Sequence, residues 1–523
     1  MNRIVGTTSL QRIFRASPAL TLILLSRSTN RTGLLVDTSS ASGHRLASAC
    51  RKGIFVAANL NSGLNSGLSA RIAEHVSTTP FSALPPATVA ATKRALLDGV
   101  GVILAASGLS EDSAPFVALA AAEGGTPAAT ILGHGIRVPV QAAAFANGAL
   151  AHALDFEDAF DAAPTHPNAS LIPAALAVAQ AHGPIGGEEF LTAMAIGCDL
   201  VCRLGLSLRR TMEEGGWYPP PILGAFGATA AAARLMRLTP RQVSDAFSLL
   251  LCQVSCPGEI KHSADTVIRA VREAFPARAA VVSAQLAARG VRGFDCPFEG
   301  KGGFFRLYVQ GEYDPGTILD SLGTSFWIER LSFKPWPSCR GTHGYIEAVL
   351  DLSRAHNLLW PDITEIRLEG GEVQQMLFHP ELRKKNPATA IDAKFSLPFT
   401  VALALVRGHV GLDDFTADSL TDPDILSVAH RVAFSQRADW GRDRAASAAI
   451  ELVMNDGTLF NAEIETPLGH PDRPLSDEQL RAKYLDCAKR AARPLPRTAA
   501  NALADEIFAL ETVADMSSLG LFA

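Results

Sequence analysis

Apolar residues recur at helical spacing through most of residues 87–325. Pro85-Pro86 introduces the first such run, residues 87–106, interrupted by Gly99 and Gly101. Residues 140–154, 168–182, 187–204, 221–235, 239–254 and 276–289 repeat the pattern. Pro173 is expected in the first turn of its helix, where a missing N–H costs little. Glu188 and Glu189 open the next helix, as the helix dipole prefers. Residues 221–235 are nearly all small and apolar (Gly224, Ala225, Gly227, Ala228, Ala230, Ala231), so another backbone must approach them closely. Thr239 and Gln242 are spaced to cap the helix that follows. No two-residue alternation appears before about residue 325.

From Phe326 the pattern changes. Residues 327–333 alternate, and 362–369 read as a half-buried strand. Residues 448–454 and 458–466 flank Asn455-Asp456-Gly457, a strong hairpin turn. Helical runs at 341–356 and 396–406 lie between them. From Ser476 the chain is helical and charged again and is expected to rejoin the first part. A chain of 523 residues exceeds the roughly 250–300 at which one core stops growing. The expected fold is mainly α with an α+β insert. Residues 67–328 and 471–523 would form a large all-helical domain, and residues 329–470 a smaller α/β domain.

Composition changes this picture at one end. Residues 1–66 carry eight Lys and Arg against one acid, Asp37. They read as a disordered or transit-like extension. The expected location is cytoplasmic, or mitochondrial if that segment is a transit peptide. A net charge of −5 gives no sign of nucleic-acid binding. No apolar run reads as reaching the ~20 residues of a membrane span. Eight cysteines in this length do not make a disulfide framework, and the pairs Cys198/Cys202 and Cys252/Cys256 are expected in the core. No metal motif appears.

The candidate chemistry lies between residues 152 and 167. Four carboxylates (Asp155, Glu157, Asp158, Asp161) and two imidazoles (His152, His166) sit between two apolar helices. Charged groups in apolar surroundings have shifted pKa values and move protons. The plain alternative is an acidic helix end followed by a Pro-Thr-His-Pro turn.

Several motifs then share one order and spacing: His152-Ala-Leu-Asp155-Phe-Glu-Asp158, Thr165-His166-Pro167, Lys334-Pro-Trp-Pro-Ser-Cys339-Arg340-Gly-Thr-His343 and Ala393-Lys394-Phe-Ser-Leu-Pro398. From about residue 68 onward the chain resembles the MmgE/PrpD family, which includes 2-methylcitrate dehydratase and cis-aconitate decarboxylase. The resemblance implies a helical domain built from both chain ends, an inserted lid domain, a homodimer, no metal or organic cofactor, and a site in the interdomain cleft. It makes Asp155, His166 and Lys334 the catalytic candidates. Arg269, Arg272, Arg340, His343, Lys261, His262 and Cys339 become candidates for holding a small di- or tricarboxylate. Arg269 falls where the decarboxylases place a lysine, and Lys394 is expected to be structural or a rim contact. Where the decarboxylases carry threonine, histidine and tyrosine, this chain has Ala159, Cys339 and Gln375. On those departures the expected activity is a 2-methylcitrate dehydratase-like hydro-lyase. The alternatives are a cis-aconitate decarboxylase-like carboxy-lyase, an isomerase or epimerase, and an inactive family member.

Overall fold

The computed structural model describes residues 67–522 apart from Pro164, Ala264 and Asp265. The basic extension, residues 1–66, lies outside the described residues.

The described chain is mainly helical, with two small sheets. Helices Pro86–Leu109, Val140–His152, Pro167–Ala181, Gly187–Ser207, Pro219–Leu235, Pro240–Leu251 and Ala274–Ala288 match the apolar runs of the sequence. Thr239 caps its helix reciprocally with Gln242. The small residues do what their size implies: a Cβ on Gly197 would lie 2.7 Å from the carbonyl oxygen of Gly227, so two helices cross there backbone to backbone. Pro173 is a correction. Its helix begins at Pro167, so Pro173 sits inside it rather than in the first turn. The helix Gly187–Ser207 is a second. It is long and apolar enough to span a bilayer by composition, but 94% of its apolar window is buried against protein.

One hydrophobic core runs from Leu68 to Phe333 and takes in Leu475, Leu480, Tyr484, Leu503 and Leu510 from the chain's end. The returning helices Asp477–Ala488 and Arg497–Phe508 thus complete the helical part. A second core gathers Tyr345, Ile366, Leu368, Phe399, Ile450 and Leu452, and borrows Phe145, Ala149, Ala270, Val271 and Ala274 from the helical part. The two cores meet along the helix Val140–His152.

The second core is built on a four-stranded sheet of order β4-β3-β5-β6, with β3 Ile363–Gly370, β4 Val432–Gln436, β5 Ala448–Met454 and β6 Leu459–Ile464. β3 and β4 are parallel and the other pairs antiparallel. The β5–β6 hairpin turns at Asn455-Asp456-Gly457, where Gly457 takes φ 84°. The sheet carries helices His343–His356 and Leu397–Arg407. Two expectations about strands fail. A short hairpin, β1 Ala129–Ile131 with β2 Ile136–Val138, precedes residue 325. Residues 327–333 form a 3-10 turn, Trp327–Arg330, then one antiparallel bridge, Ser332 with Ala159. That bridge joins the residue after Asp158 to the segment just before Lys334.

Candidate active site

Three local features converge the side chains. The helix Val140–His152 ends at His152, and the Asp155 N–H closes a turn onto the His152 carbonyl at 2.9 Å. Asp155 adopts φ 49°, a left-handed conformation that aspartate tolerates better than most residues. At Gly148 a Cβ would lie 2.6 Å from the Glu273 carbonyl oxygen, so this glycine lets the Arg272-Glu273 segment reach His152. Finally, the Ala159–Ser332 bridge (2.9 and 2.8 Å) brings Lys334 beside Asp155.

Lys334 and Asp155 are fully buried and form an ion pair at 2.6 Å, and Lys334 also donates to the Asp155 carbonyl at 3.0 Å. Burial pushes the Asp155 carboxyl upward, but the Lys334 ammonium outweighs it and holds the group below the ordinary carboxylate range. Burial likewise pulls Lys334 down, and Asp155 followed by Glu157 reverse this, so the amine stays charged.

The protonation of both imidazoles follows from their partners. Arg272 has only donors, and it donates to His152 Nε2. His152 therefore carries its proton on Nδ1 and gives it to Glu157 Oε1. Burial and then Arg272 press the His152 pKa down to about 3, so this ring is neutral near pH 7. His166 Nδ1 faces two acceptors, Glu157 Oε1 at 3.1 Å and the Asp158 carbonyl at 3.0 Å. It must also carry hydrogen. Its Nε2 has no hydrogen-bond partner among the described residues, and the side chain retains 16% exposure. The His166 backbone, at φ −121° and ψ 81°, stays out of the helical region that a following proline disfavours, and Pro167 then starts the next helix. Glu157, shared by both rings, is held well below the ordinary range: burial acts upward, but His152, Lys334 and His166 together outweigh it.

Ligand atoms of His152, Asp155, Glu157 and His166 lie within 4.8 Å of one another, a spacing that suits a metal ion. Two fixed cations contest it, because Lys334 holds Asp155 and Arg272 holds His152 Nε2. The donor set reads as acid–base machinery.

Two guanidiniums flank this group. The Arg272 side chain is buried, pairs with Glu273 at 3.1 Å and leaves Nη2 without a partner. Arg269 lies over the Phe395 ring at 3.4 Å, and its Nε is likewise unpartnered. Tyr218 sits 5.9 Å from Arg269 and 5.1 Å from Arg272. Unpaired buried N–H groups are what a carboxylate ligand would satisfy.

The other candidates are placed differently. Lys261 points to Glu213 at 3.9 Å, and His262 is exposed with its carbonyl engaged by Arg383, so neither joins the group. Arg340 is spent on Asp161 at 3.1 Å and on the carbonyls of Leu468 and Pro467. His343 is fully buried against the Ser338 carbonyl, and burial followed by Arg340 keeps it neutral. Arg340 and His343 therefore fix the Lys334–His343 segment in place rather than offering free donors. Cys339 lies near the pair as a thiol, since burial and then Asp155 raise its pKa. Glu157 and His152 belong to the acidic and imidazole cluster of the sequence but not to its three catalytic candidates. The signal was present in the five-residue spacing from a helix-terminal histidine to an acid.

Comparison with known proteins bears on this arrangement. The MmgE/PrpD N-terminal domain model matches residues 70–315, and the C-terminal domain model matches residues 336–505. The chain belongs to the MmgE/PrpD family. Among its relatives is a cis-aconitate decarboxylase-like protein of Aspergillus oryzae, 26% identical over 86% of this chain and 96% of the relative. A cis-aconitate decarboxylase of Aspergillus terreus is 23% identical over 88% of this chain and 96% of its own. A mitochondrial 2-methylcitrate dehydratase of Yarrowia lipolytica is 25% identical over 51% of this chain and 53% of its own.

Proposed function

We propose that this chain is a lyase of small polycarboxylic acids, and that it removes CO2 from cis-aconitate or a closely related unsaturated tricarboxylate. The observation that carries this reading is the single open ring nitrogen, His166 Nε2, beside a buried Lys334–Asp155 pair and two unfilled guanidiniums. Decarboxylation asks for one delivered proton. The C–C bond to the departing carboxylate breaks and its electron pair moves onto the remaining carbon skeleton; the step starts from the imidazolium form of His166, which gives its Nε2 proton to the carbon that gains the pair and is left neutral with hydrogen on Nδ1. Glu157, 3.1 Å from Nδ1, balances the imidazolium before the step and holds the Nδ1–H of the neutral ring after it. Arg269 and Arg272 grip the carboxylates that stay.

Dehydration would need a base for one proton and an acid for the leaving hydroxyl, which makes the hydro-lyase favoured by the sequence the second reading. The similarity to decarboxylase relatives over nearly the whole chain supports the same order. Because Asp155, Glu157 and Lys334 are buried, substrate entry requires the segment bearing Lys334 to part from the helical body. That motion is the lid role we assign to the sheet-containing part, within a homodimer.

The test is to incubate purified protein separately with cis-aconitate and 2-methylcitrate and follow products by NMR. We expect CO2 loss from the first. Water loss from the second alone would transfer the assignment to the hydro-lyase. In His166→Ala, turnover should fall by about 10²–10⁴-fold with the fold intact. Near-normal turnover would remove His166 from the mechanism.

A further inference from the structure

A second group of buried oxygens lies behind the histidines. A void lined by Gly99, Ile103, Glu157, Asp158, Asn168 and Ile172 is too small to admit a water molecule. Three oxygens of its lining residues have no donor: Glu157 Oε2, Asp158 Oδ1 and Asn168 Oδ1. Around Asp158 the charges are unbalanced. Asp98, from the helix Pro86–Leu109, and Glu157 bring negative charge, and the thiols of Cys198 and Cys202 approach from the helix Gly187–Ser207. The ammonium of Lys483 is already committed to Asp98 at 2.6 Å and to the Phe156 carbonyl at 2.7 Å. The Asn168 amide donates to Asp158 Oδ2 at 3.2 Å, which leaves the other oxygen unserved.

An ionised Asp158 would leave acceptor-only oxygens around a dry void, an arrangement that folded proteins avoid. One proton on Asp158 turns an orphaned acceptor into the missing donor. We propose that Asp158 is a stored-proton residue: a neutral carboxylic acid that donates across this void, braces Glu157, and so positions His166 through its own main-chain carbonyl. Burial first, then the charges of Asp98 and Glu157, push its pKa up to about 8, in keeping with that role. Asp158 touches no substrate; it acts through Glu157 and His166. Ionisation at alkaline pH would set a third charge against Asp98 and Glu157 and loosen the histidine's support.

The experiment does not depend on which acid is the substrate. Asp158→Asn keeps the shape and supplies a permanent donor. At neutral pH the infrared C=O band of a protonated carboxyl should be present in the wild type and lost in D158N. Asp158 takes up a proton more readily folded than unfolded, so its contribution to stability is lost as pH rises through about 8. The wild-type Tm should therefore fall by roughly 4 °C relative to D158N between about pH 5 and about pH 9, and run parallel to it above that. Identical infrared spectra, or Tm curves parallel throughout, would overturn the proposal. Should D158N not fold, the wild-type band followed over the same pH range decides: fading near pH 8 supports the stored proton, and an unchanged spectrum refutes it.

Discussion

Lys334 and Lys394 are both fully buried amines, yet the fold treats them oppositely. Lys334 meets a carboxylate, Asp155, at 2.6 Å, and its proton is held more tightly than in a free lysine. Lys394 meets only carbonyls, Leu154 at 2.8 Å and Pro337 at 3.1 Å, with the Phe415 ring 4.4 Å away. Burial there outweighs the pull of Asp155, and its pKa drops to about 7. The difference is one counter-charge, since desolvation acts on both. Their roles divide accordingly. Lys334 remains a fixed positive charge, whereas Lys394 fastens the turn before Asp155 to the segment after Lys334, assisted by the Cys339 N–H bonded to its carbonyl at 3.0 Å.

Breaking the pair at one end should have the largest effect. Lys334→Met strands a buried Asp155 carboxylate and should cost about 3–5 kcal/mol in denaturant unfolding, with turnover abolished. Adding Asp155→Asn should restore much of the stability without restoring turnover. A double variant no more stable than K334M would mean that the pair contributes through shape and not charge. Lys394→Met removes two donors from buried carbonyls and should cost less, about 2 kcal/mol. If K394M proved as damaging as K334M, the distinction between charge carrier and fastener would fail.

Asp155→Asn alone sharpens the contrast by making Lys334 resemble Lys394. Its amine would lose the main group that holds its proton, so its affinity for that proton should drop and stability should become pH-dependent. The unfolded chain would then bind more protons than the folded one, so stability should climb with pH toward about 10. A D155N variant with the wild-type pH dependence would show that Glu157 suffices as the counter-charge.

The same contrast explains what the sequence could and could not reveal. Helices with small-residue faces were legible because close packing demands small residues, as at Gly197 and Gly227. The Asn455-Asp456-Gly457 hairpin was legible because its turn needs positive φ. The alternation at 327–333 misled: one bridge to Ala159, and not a sheet, satisfies it. β1 and β2 were too short to show a period. In the site, motif order pointed to Asp155, His166 and Lys334, and the structure brings them together. It could not tell a cation free for substrate from one committed to carbonyls. Arg340 and Arg269 look alike in sequence, yet Arg340 is saturated and Arg269 keeps an unpartnered N–H. Glu157 was hidden for a related reason, as one acid among four until both imidazoles were seen to converge on it.

The smallest expected effect concerns Lys394 as a titrating group in the intact protein. It sits near 7 folded against 10.5 in an ordinary lysine, so the unfolded chain holds more protons between those values. Stability contributed through Lys394 must therefore rise as pH rises across that window, and not fall. Asp158 acts in the opposite sense up to about 8, so the two partly cancel in the wild type between about 7 and about 8. Removing Asp158's titration with D158N should expose the Lys394 slope as a Tm that increases from about pH 7 to about pH 9. Lys394→Met in that background should flatten the curve. A slope that persists in the double variant would assign the titration to another group and leave Lys394 charged, in which case two carbonyls and an aromatic face suffice to hold a buried ammonium.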